Sequence, residues 1–295
     1  MRTMKQFLAP VLILFMVSGA AFAAGAPEAQ TANLTYVNWE EGVAWTHLAA
    51  AILEDEMGYA VNLTAADVGP AYAAVAAGDQ DAFMEAWLPG LHATYMEEYG
   101  DMVIRIGVIY EDAVSGLVVP QYMVDDGITT LSDLTDPEVV ERLDGQIIGI
   151  DAGAGLMITT EEQAMPAYGL GEAGLELIAS SGPAMMAELD AAYQAQEYIV
   201  VLGWQPHSKF GYYDLVVLEQ DGEQIWDIDD IYLIGRQDLR DDKPELAEFL
   251  ANMEFTTEEI GDLMVHIRES DLSTLEAARE WKNANPEIWE GWIPN

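Results

Sequence analysis

The sequence predicts an α/β fold with mostly parallel strands, divided into two lobes. Short apolar segments with strand character alternate with helical segments of about 10–15 residues, the order expected of parallel sheets. The chain has 295 residues, 51% of them hydrophobic, which is sufficient for two cores. A break near Pro120 and a return of the chain near Ile231 suggest the division. Residues 33–117 and 231–295 are predicted to form the first lobe, and residues 118–230 the second.

The first strand and the first helix have the clearest periodicities. Residues 34–38 are predicted to form a strand, and from Glu41 to Met57 apolar residues recur at helical spacing until Gly58. Further strands are predicted over residues 59–64, 81–87, 115–119, 146–151, 175–178, 198–202, 215–218 and 232–236. Further helices are predicted from residue 69, over 92–99, 159–168, 183–196 and most of 244–285, with short helical pieces over 128–143.

Residues 1–24 have the order of a secretory signal peptide. The basic residues Arg2 and Lys5 precede an apolar run over Phe7–Val17, and small residues up to Ala23 complete an A-x-A cleavage site. The apolar run is too short to span a membrane comfortably. We therefore expect cleavage near Ala23 and an exported, soluble mature protein.

The composition argues against several classes of function. With 52 acidic and 11 basic residues, the formal net charge is −41, so phosphate backbones and anionic lipid surfaces are repelled and no nucleic-acid or membrane-surface binding is expected. The acidic residues are dispersed, which we interpret as a solvated shell, and salt would screen their repulsion. The absence of cysteine excludes disulfides, thiolate metal sites and a lipid-modified N-terminal cysteine.

No recognisable catalytic or metal-binding motif is present. The chain has no G-x-S-x-G, no H-E-x-x-H and no EF-hand loop. Asp227, Asp229 and Asp230 have the wrong spacing for a calcium loop and are predicted to be solvated. We expect no enzymatic activity, no cofactor and no metal. A secreted enzyme stays a remote alternative, because the members of a Ser-His-Asp triad can be far apart in sequence.

Three tryptophans follow or end predicted strands, where ligands bind in open α/β sheets. They are Trp39, Trp87 and Trp204, and none of them continues an apolar helical stripe. We therefore predict that they form one aromatic cage. The other five tryptophans are predicted to be core residues, namely Trp45, Trp226, Trp281, Trp289 and Trp292.

A tryptophan cage is suited to a quaternary ammonium ion, which has no N–H to donate. Each cation–π contact contributes about 0.5–1 kcal/mol when exposed and about 2 kcal/mol or more when desolvated. The loop Gly153–Leu156 follows a predicted strand, and its free backbone N–H groups are placed to bind an anion. His92, five residues after Trp87, is a second candidate donor. The predicted ligand is a small zwitterion with an ammonium and a carboxylate group.

The chain resembles the substrate-binding proteins of glycine betaine ABC importers. The resemblance extends over nearly the whole mature chain and is carried by four motifs in order, Tyr36–Trp39, Ala86–Pro89, Gly116–Pro120 and Gly203–His207. It implies a type II periplasmic binding protein with two α/β lobes, a mostly parallel sheet in each and two hinge strands, closing on its ligand like a Venus flytrap. It further implies a monomer in the periplasm that delivers its ligand to an ABC permease in the inner membrane.

The resemblance also implies roles for individual residues. Trp39, Trp87 and Trp204 surround the trimethylammonium group, and the carboxylate is held by the backbone N–H groups of Gly155 and Leu156 and by His92.

Three positions bear on the choice between glycine betaine and choline. Glu41 lies where related choline binders have an acid for the hydroxyl group, which leaves choline as an alternative. Ala154 and His92 depart from the choline pattern and favour a betaine. Ser208 departs from the betaine pattern, in which an aromatic residue often follows Pro-His. Proline betaine, carnitine and dimethylsulfoniopropionate are further alternatives.

Overall fold

The computed structural model describes residues 30–294, so the predicted signal peptide lies outside the described residues. Nine strands are present in this part of the chain. They are β1 Thr31–Tyr36, β2 Ala60–Ala65, β3 Ala82–Leu88, β4 Val103–Pro120, β5 Gln146–Ile148, β6 Glu176–Ile178, β7 Val201–Gln205, β8 Leu215–Val217 and β9 Asp229–Arg236.

Helices connect most of these strands, as the alternating pattern predicts. They are α1 Glu40–Asp55, α2 Val68–Ala76, α3 Ala93–Tyr99, α4 Gln121–Asp125, α5 Pro137–Arg142, α6 Gly155–Thr159, α7 Met165–Ala167, α8 Leu170–Ala173, α9 Gly182–Ala195, α10 Lys209–Tyr212, α11 Leu239–Asp242, α12 Pro244–Asn252, α13 Thr257–Glu269, α14 Thr274–Ala284 and α15 Pro286–Trp289. Capping boxes begin α13 at Thr256 and α14 at Ser273, each with a glutamate three residues later. No helix within residues 30–294 has the length and apolar character to span a membrane.

The strands form two sheet regions that share β4. Region A has the order β2-β1-β3-β9-β4, and region B continues through β4-β7-β5-β6, with β8 beside β4. The strands β1, β2 and β3 are parallel, as are β5, β6 and β7. The pairs that involve β4 or β9 are antiparallel. The α/β two-lobe fold is confirmed, with antiparallel pairs where the chain passes between the regions.

β4 joins the two regions. It pairs with β9 up to Ala113 and with β7 from Val114 onward. The register shifts between Tyr110 and Ala113, where Asp112 has a positive φ of 57°. The sequence analysis assigns a strand only to residues 115–119 of this element, because the bulged, half-exposed part lacks a strict alternation of apolar and polar residues.

The core contains the five tryptophans that the sequence places there. Trp45 and Trp281 are buried to 2% exposure or less, and Trp226, Trp289 and Trp292 to 6% or less. Trp45 packs its helix onto the sheet and donates its indole N–H to the carbonyl oxygen of Met84 at 2.9 Å. The indole N–H of Trp289 is donated to the carbonyl oxygen of Lys282 at 2.8 Å. Buried indoles need such acceptors, so these bonds fix the rings as well as the packing.

Candidate ligand-binding site

The six residues predicted to bind ligand line one cavity between the two sheet regions. The cavity is nearly closed, with about 10 Å³ of space for the centre of a water-sized molecule. Its walls are Trp39, Trp87, Leu91, His92, Ile150, Gly155, Leu156 and Trp204. Glu41, the further candidate, does not line it. The structure thus brings together residues up to 165 positions apart along the chain, as the positions of the strand ends predict.

Each cage residue is placed by the end of a strand. Trp39 follows β1 and is the N-cap of α1, and Trp87 is the penultimate residue of β3. Leu156 lies in α6, shortly after β5, and Trp204 lies in β7. Trp39 and Trp87 therefore belong to region A, and Leu156 and Trp204 to region B. The cage is complete only where the two regions meet.

The three cage indoles are buried and inclined to one another. Trp39, Trp87 and Trp204 are 5%, 2% and 3% exposed. The ring centroids of Trp39 and Trp204 are 6.0 Å apart with the planes at 52°, so the rings form two walls of a corner and do not stack. The ring of His92 lies 6.4 Å from that of Trp39. Inclined aromatic faces around a desolvated space are the geometry that a cation requires.

His92 is a neutral hydrogen-bond donor at the cavity wall. Its Nδ1 accepts the backbone N–H of Trp87 at 3.2 Å and lies 3.5 Å from the hydroxyl oxygen of Tyr72. This pattern assigns the ring proton to Nε2. Burial, with 1% exposure, lowers the pKa of His92 to about 3, so the ring is uncharged at neutral pH. His92 therefore offers an N–H but no positive charge.

The glycine at position 155 is required by a close approach between the regions. A Cβ atom at Gly155 would lie 2.0 Å from the carbonyl oxygen of Leu91 and 2.6 Å from its carbonyl carbon. Gly155 and Leu156 are the first two residues of α6, so their N–H groups have no partner within the helix. The absence of a side chain lets this end of α6 reach the loop that carries His92.

That loop is held by an aspartate for which the sequence analysis predicts a different environment. Asp229 is 3% exposed, so its predicted solvation is wrong. Its carboxylate accepts the N–H of Gly90 at 2.5 Å and that of Leu91 at 3.0 Å. Burial raises the pKa of Asp229, and these two bonds oppose the effect. Asp229 is the first residue of β9. Its bonds to Gly90 and Leu91 therefore tie the loop that carries His92 to the junction of the regions.

Behind the cage lie three acidic residues, of which Asp151 and Glu85 are not predicted from the sequence and Glu41 is predicted there only as a contact for choline. Trp39 donates its indole N–H to Asp151 at 3.2 Å, Trp87 to Glu85 at 3.3 Å and Trp204 to Glu41 at 2.6 Å. Burial raises the pKa values of both Glu41 and Glu85, and the nearby carboxylate of Glu41 raises that of Glu85 further. All three carboxylates lie outside the cavity wall, at the edges of the rings.

A buried lysine lies against the Trp204 ring. The Nζ of Lys209 is 3.8 Å from the ring centroid, and the side chain is fully buried. Burial lowers the pKa of Lys209 to about 7, whereas the carboxylate of Glu41 opposes this shift. Because Lys209 does not line the cavity, its ammonium group leaves the cavity side of Trp204 open. The pattern of hydrophobic residues in the sequence does not predict a buried lysine at this position.

Ser208, the departure from the betaine pattern, has a contact of its own. Its hydroxyl and backbone N–H donate to Glu40 at 2.5 and 3.1 Å. The Nδ1 of His207 lies 2.9 Å from the same carboxylate oxygen. These polar contacts join region B to the start of α1.

The fold and the site together define a two-lobe solute-binding protein. Two α/β regions meet along a crossing strand, and an aromatic cage with convergent N–H donors lies at their junction. The chain belongs to the family described as the substrate binding domain of ABC-type glycine betaine transport system, which matches residues 30–284. The resemblance inferred from the four motifs is thereby confirmed.

Solved structures of similar proteins support the same assignment. The lactococcal OpuAC, solved closed with glycine betaine, is 30% identical with a TM-score of 0.81, covering 90% of this chain and 100% of that one. ProX of Borrelia burgdorferi, a glycine betaine/L-proline-binding protein, is 28% identical with a TM-score of 0.83, over 90% and 97%. An ABC-transporter choline binding protein in complex with choline is 25% identical with a TM-score of 0.79, over 89% and 91%.

A sequence relative with a named function is the glycine betaine/carnitine transport binding protein GbuC of Listeria monocytogenes. It is 34% identical over 152 residues, which is 52% of this chain and 50% of the relative. The match thus spans about half the length of that curated relative.

Proposed function

We propose that this protein captures glycine betaine outside the cytoplasmic membrane and delivers it to an ABC permease. The observation that carries the proposal is the pairing of three buried indoles with N–H donors across one small cavity. The indoles of Trp39, Trp87 and Trp204 take the trimethylammonium group. The backbone N–H groups of Gly155 and Leu156, with the Nε2–H of His92, take the carboxylate.

The cage accounts for most of a micromolar affinity. Three desolvated cation–π contacts contribute about 6 kcal/mol, whereas a micromolar dissociation constant corresponds to about −8 kcal/mol. Hydrogen bonds to a charged carboxylate contribute about 1.5–3 kcal/mol each. A ligand with both groups therefore gains binding free energy at both ends of the cavity. The cost of closing the lobes reduces this binding free energy.

The polarity of the cavity favours a betaine over choline. A carboxylate accepts hydrogen bonds only, and the polar side chains among the lining residues, those of the three tryptophans and His92, are N–H donors. The hydroxyl of choline would need an acceptor to use its proton. Glu41, the candidate acceptor, directs Oε1 to the indole N–H of Trp204 and does not line the cavity. The choline-binding structural relative keeps choline as the second candidate.

The transport role is part of the proposal. Binding energy realised only in the closed form shifts the population from open to closed, and the closed form is what a permease would recognise. We propose that the protein acts as a monomer in the periplasm, with residues 33–117 and 231–295 as one lobe and residues 118–230 as the other. It performs no chemistry on the ligand.

A titration panel tests the proposal. The mature chain is titrated with glycine betaine, proline betaine, carnitine, dimethylsulfoniopropionate and choline, with intrinsic tryptophan fluorescence as the signal. We expect saturable binding of glycine betaine at micromolar concentration and weaker binding of choline. A preference for choline would instead mean that the polar end of the cavity contains a hydrogen-bond acceptor for the hydroxyl group. Glu41 would be the first candidate for that acceptor. Turnover of any of these ligands would contradict the binding function.

A further inference from the structure

Every cage indole donates its N–H to the carboxyl group of an acidic residue, and two of these bonds cross between the sheet regions. Trp87 and its acceptor Glu85 belong to the same strand. Trp39, at the start of α1 in region A, donates to Asp151, which follows β5 in region B.

The bond from Trp204 runs the opposite way. Trp204 lies in β7 of region B, and its acceptor Glu41 lies in the first turn of α1. Trp39 and Glu41 are thus two residues apart on one element, one donating to region B and the other accepting from it. The two bonds hold the first turn of α1 between Asp151 and Trp204. The ring centroids of Trp39 and Trp204 are 6.0 Å apart.

This arrangement links the orientation of the rings to the closure of the lobes. An indole has a single polar atom, an N–H donor, so its acceptor fixes the rotation of the ring about its own axis. The acceptors of Trp39 and Trp204 are within reach only when the regions are together. When they separate, the N–H and the carboxylate of each pair face water, and no bond holds the ring at the cage angle.

We infer that Asp151 and Glu41 are positioning residues of the cage, which orient Trp39 and Trp204 across the cleft so that the cage forms in the same step as lobe closure. The inference rests on the proposed function, because it assigns these two carboxylates to the site for the quaternary ammonium ion. Neither residue lines the cavity, and both act through an indole.

One other contact across the cleft involves no cage indole. The hydroxyl of Tyr95 donates to the carbonyl oxygen of Gly153 at 2.7 Å, joining the regions without touching a cage indole. Tyr95→Phe removes this bond and keeps the ring stacked on Tyr72. It is the matched control for a contact across the cleft that touches no cage indole.

Asp151 is the better position for the test because it is only partly buried, whereas Glu41 is fully buried beside Glu85. Wild type, Asp151→Ala, Asp151→Asn and Tyr95→Phe are compared by calorimetry and stopped-flow fluorescence, with glycine betaine and tetramethylammonium as probes. Tetramethylammonium has the cationic head alone and reports on the cage without the carboxylate end.

We expect Asp151→Ala to weaken both probes about tenfold or more, the scale of a hydrogen bond to a charged group, mainly through faster dissociation. Asp151→Asn keeps an oxygen that accepts the indole N–H, and should stay within about threefold of wild type. Tyr95→Phe should lose less affinity for tetramethylammonium than Asp151→Ala does.

Three results would overturn the inference while leaving betaine binding intact. They are an unchanged affinity in Asp151→Ala, equal losses in Asp151→Ala and Tyr95→Phe, and no rescue in Asp151→Asn. If wild type bound neither probe, the proposed function would fail and the inference with it, so the wild-type titration separates the two cases.

Discussion

Replacing Gly155 by alanine should weaken ligand binding without unfolding the protein. The added Cβ would lie 2.0 Å from the carbonyl oxygen of Leu91, whereas ordinary contacts at Cβ are 3.4–4 Å. The backbone at Leu91 is held by Asp229, so the region B side has to withdraw by at least about 1 Å. The lobes are free to stay slightly open, so the unliganded protein should keep its fold.

The cost falls on the carboxylate end of the ligand. A withdrawal of that size lengthens the bonds from the N–H groups of Gly155 and Leu156 from about 2.9 Å to about 4 Å, beyond the range of a hydrogen bond. With about 1.5–3 kcal/mol for each bond to a charged acceptor and partial relaxation, we expect a loss of about 2–4 kcal/mol. This corresponds to roughly 30- to 1,000-fold in the dissociation constant.

Calorimetry with glycine betaine measures this loss, and the same loop contains a matched control. A Cβ at Gly153 would lie 3.6 Å from the hydroxyl oxygen of Tyr95, an ordinary contact, so Gly153→Ala should bind within about threefold of wild type. A thermal melt of each variant checks the fold. Equal affinities for Gly155→Ala and wild type would refute the reasoning, because the close approach at Leu91 would then be absent from the bound state.

Four further predictions follow from the site. Trp204→Ala should weaken betaine binding by about 1–3 kcal/mol in a fluorescence titration, since a desolvated aromatic face is lost, and an unchanged affinity would remove Trp204 from the cage. His92→Ala should weaken betaine far more than choline, and equal losses would make His92 structural. Asp229→Ala should reduce betaine affinity about tenfold by freeing the N–H groups of Gly90 and Leu91, and calorimetry that shows no loss would detach Asp229 from the site. Because burial lowers the pKa of His92 from 6.5 to about 3, the unfolded chain binds a proton that the folded chain does not between these values. The unfolding free energy of wild type should therefore fall with decreasing pH across this window, by up to about 1.4 kcal/mol per pH unit more than that of His92→Gln in urea titrations, and parallel curves would contradict the neutral buried ring.

Six of the eight residues that line the cavity were predictable because they lie at recognisable local features, whereas Leu91 and Ile150 were not predicted. Trp39, Trp87 and Trp204 each end or follow a strand, and parallel strands bring their carboxyl ends to one edge. Gly155 follows a strand and begins a helix. These are properties of short segments, and the four motifs add the ligand chemistry. The positions of the cage residues along the chain were therefore sufficient to predict that they meet.

The supporting residues depend on contacts that no local pattern encodes. Glu41 and its donor Trp204 are 163 residues apart, and Asp229 and Gly90 are 139 apart. An acidic residue in a chain with 52 of them has no distinguishing mark until the fold places it beside an N–H group. Asp229, for example, is buried and holds the loop at Gly90, whereas the acidic residues beside it in the sequence suggest a solvated loop.

The strand β4 shows the same limit for the fold. Its second half, with buried residues from Leu117 to Pro120, is an apolar run and is recognisable as a strand. Its first half carries register shifts and an aspartate with positive φ, and pairs with β9, which lies more than 100 residues later. The joint between the lobes is thus the part of the sheet whose pattern is least regular.

The central claim, that the cavity binds a cation and a carboxylate together, is tested most directly by isothermal titration calorimetry of residues 25–295. Glycine betaine is titrated first and choline second, in the same buffer. The account predicts one-to-one binding of glycine betaine at micromolar concentration and much weaker binding of choline. Tighter binding of choline would contradict the donor-only polar end, and no binding of either ligand would contradict the cage itself.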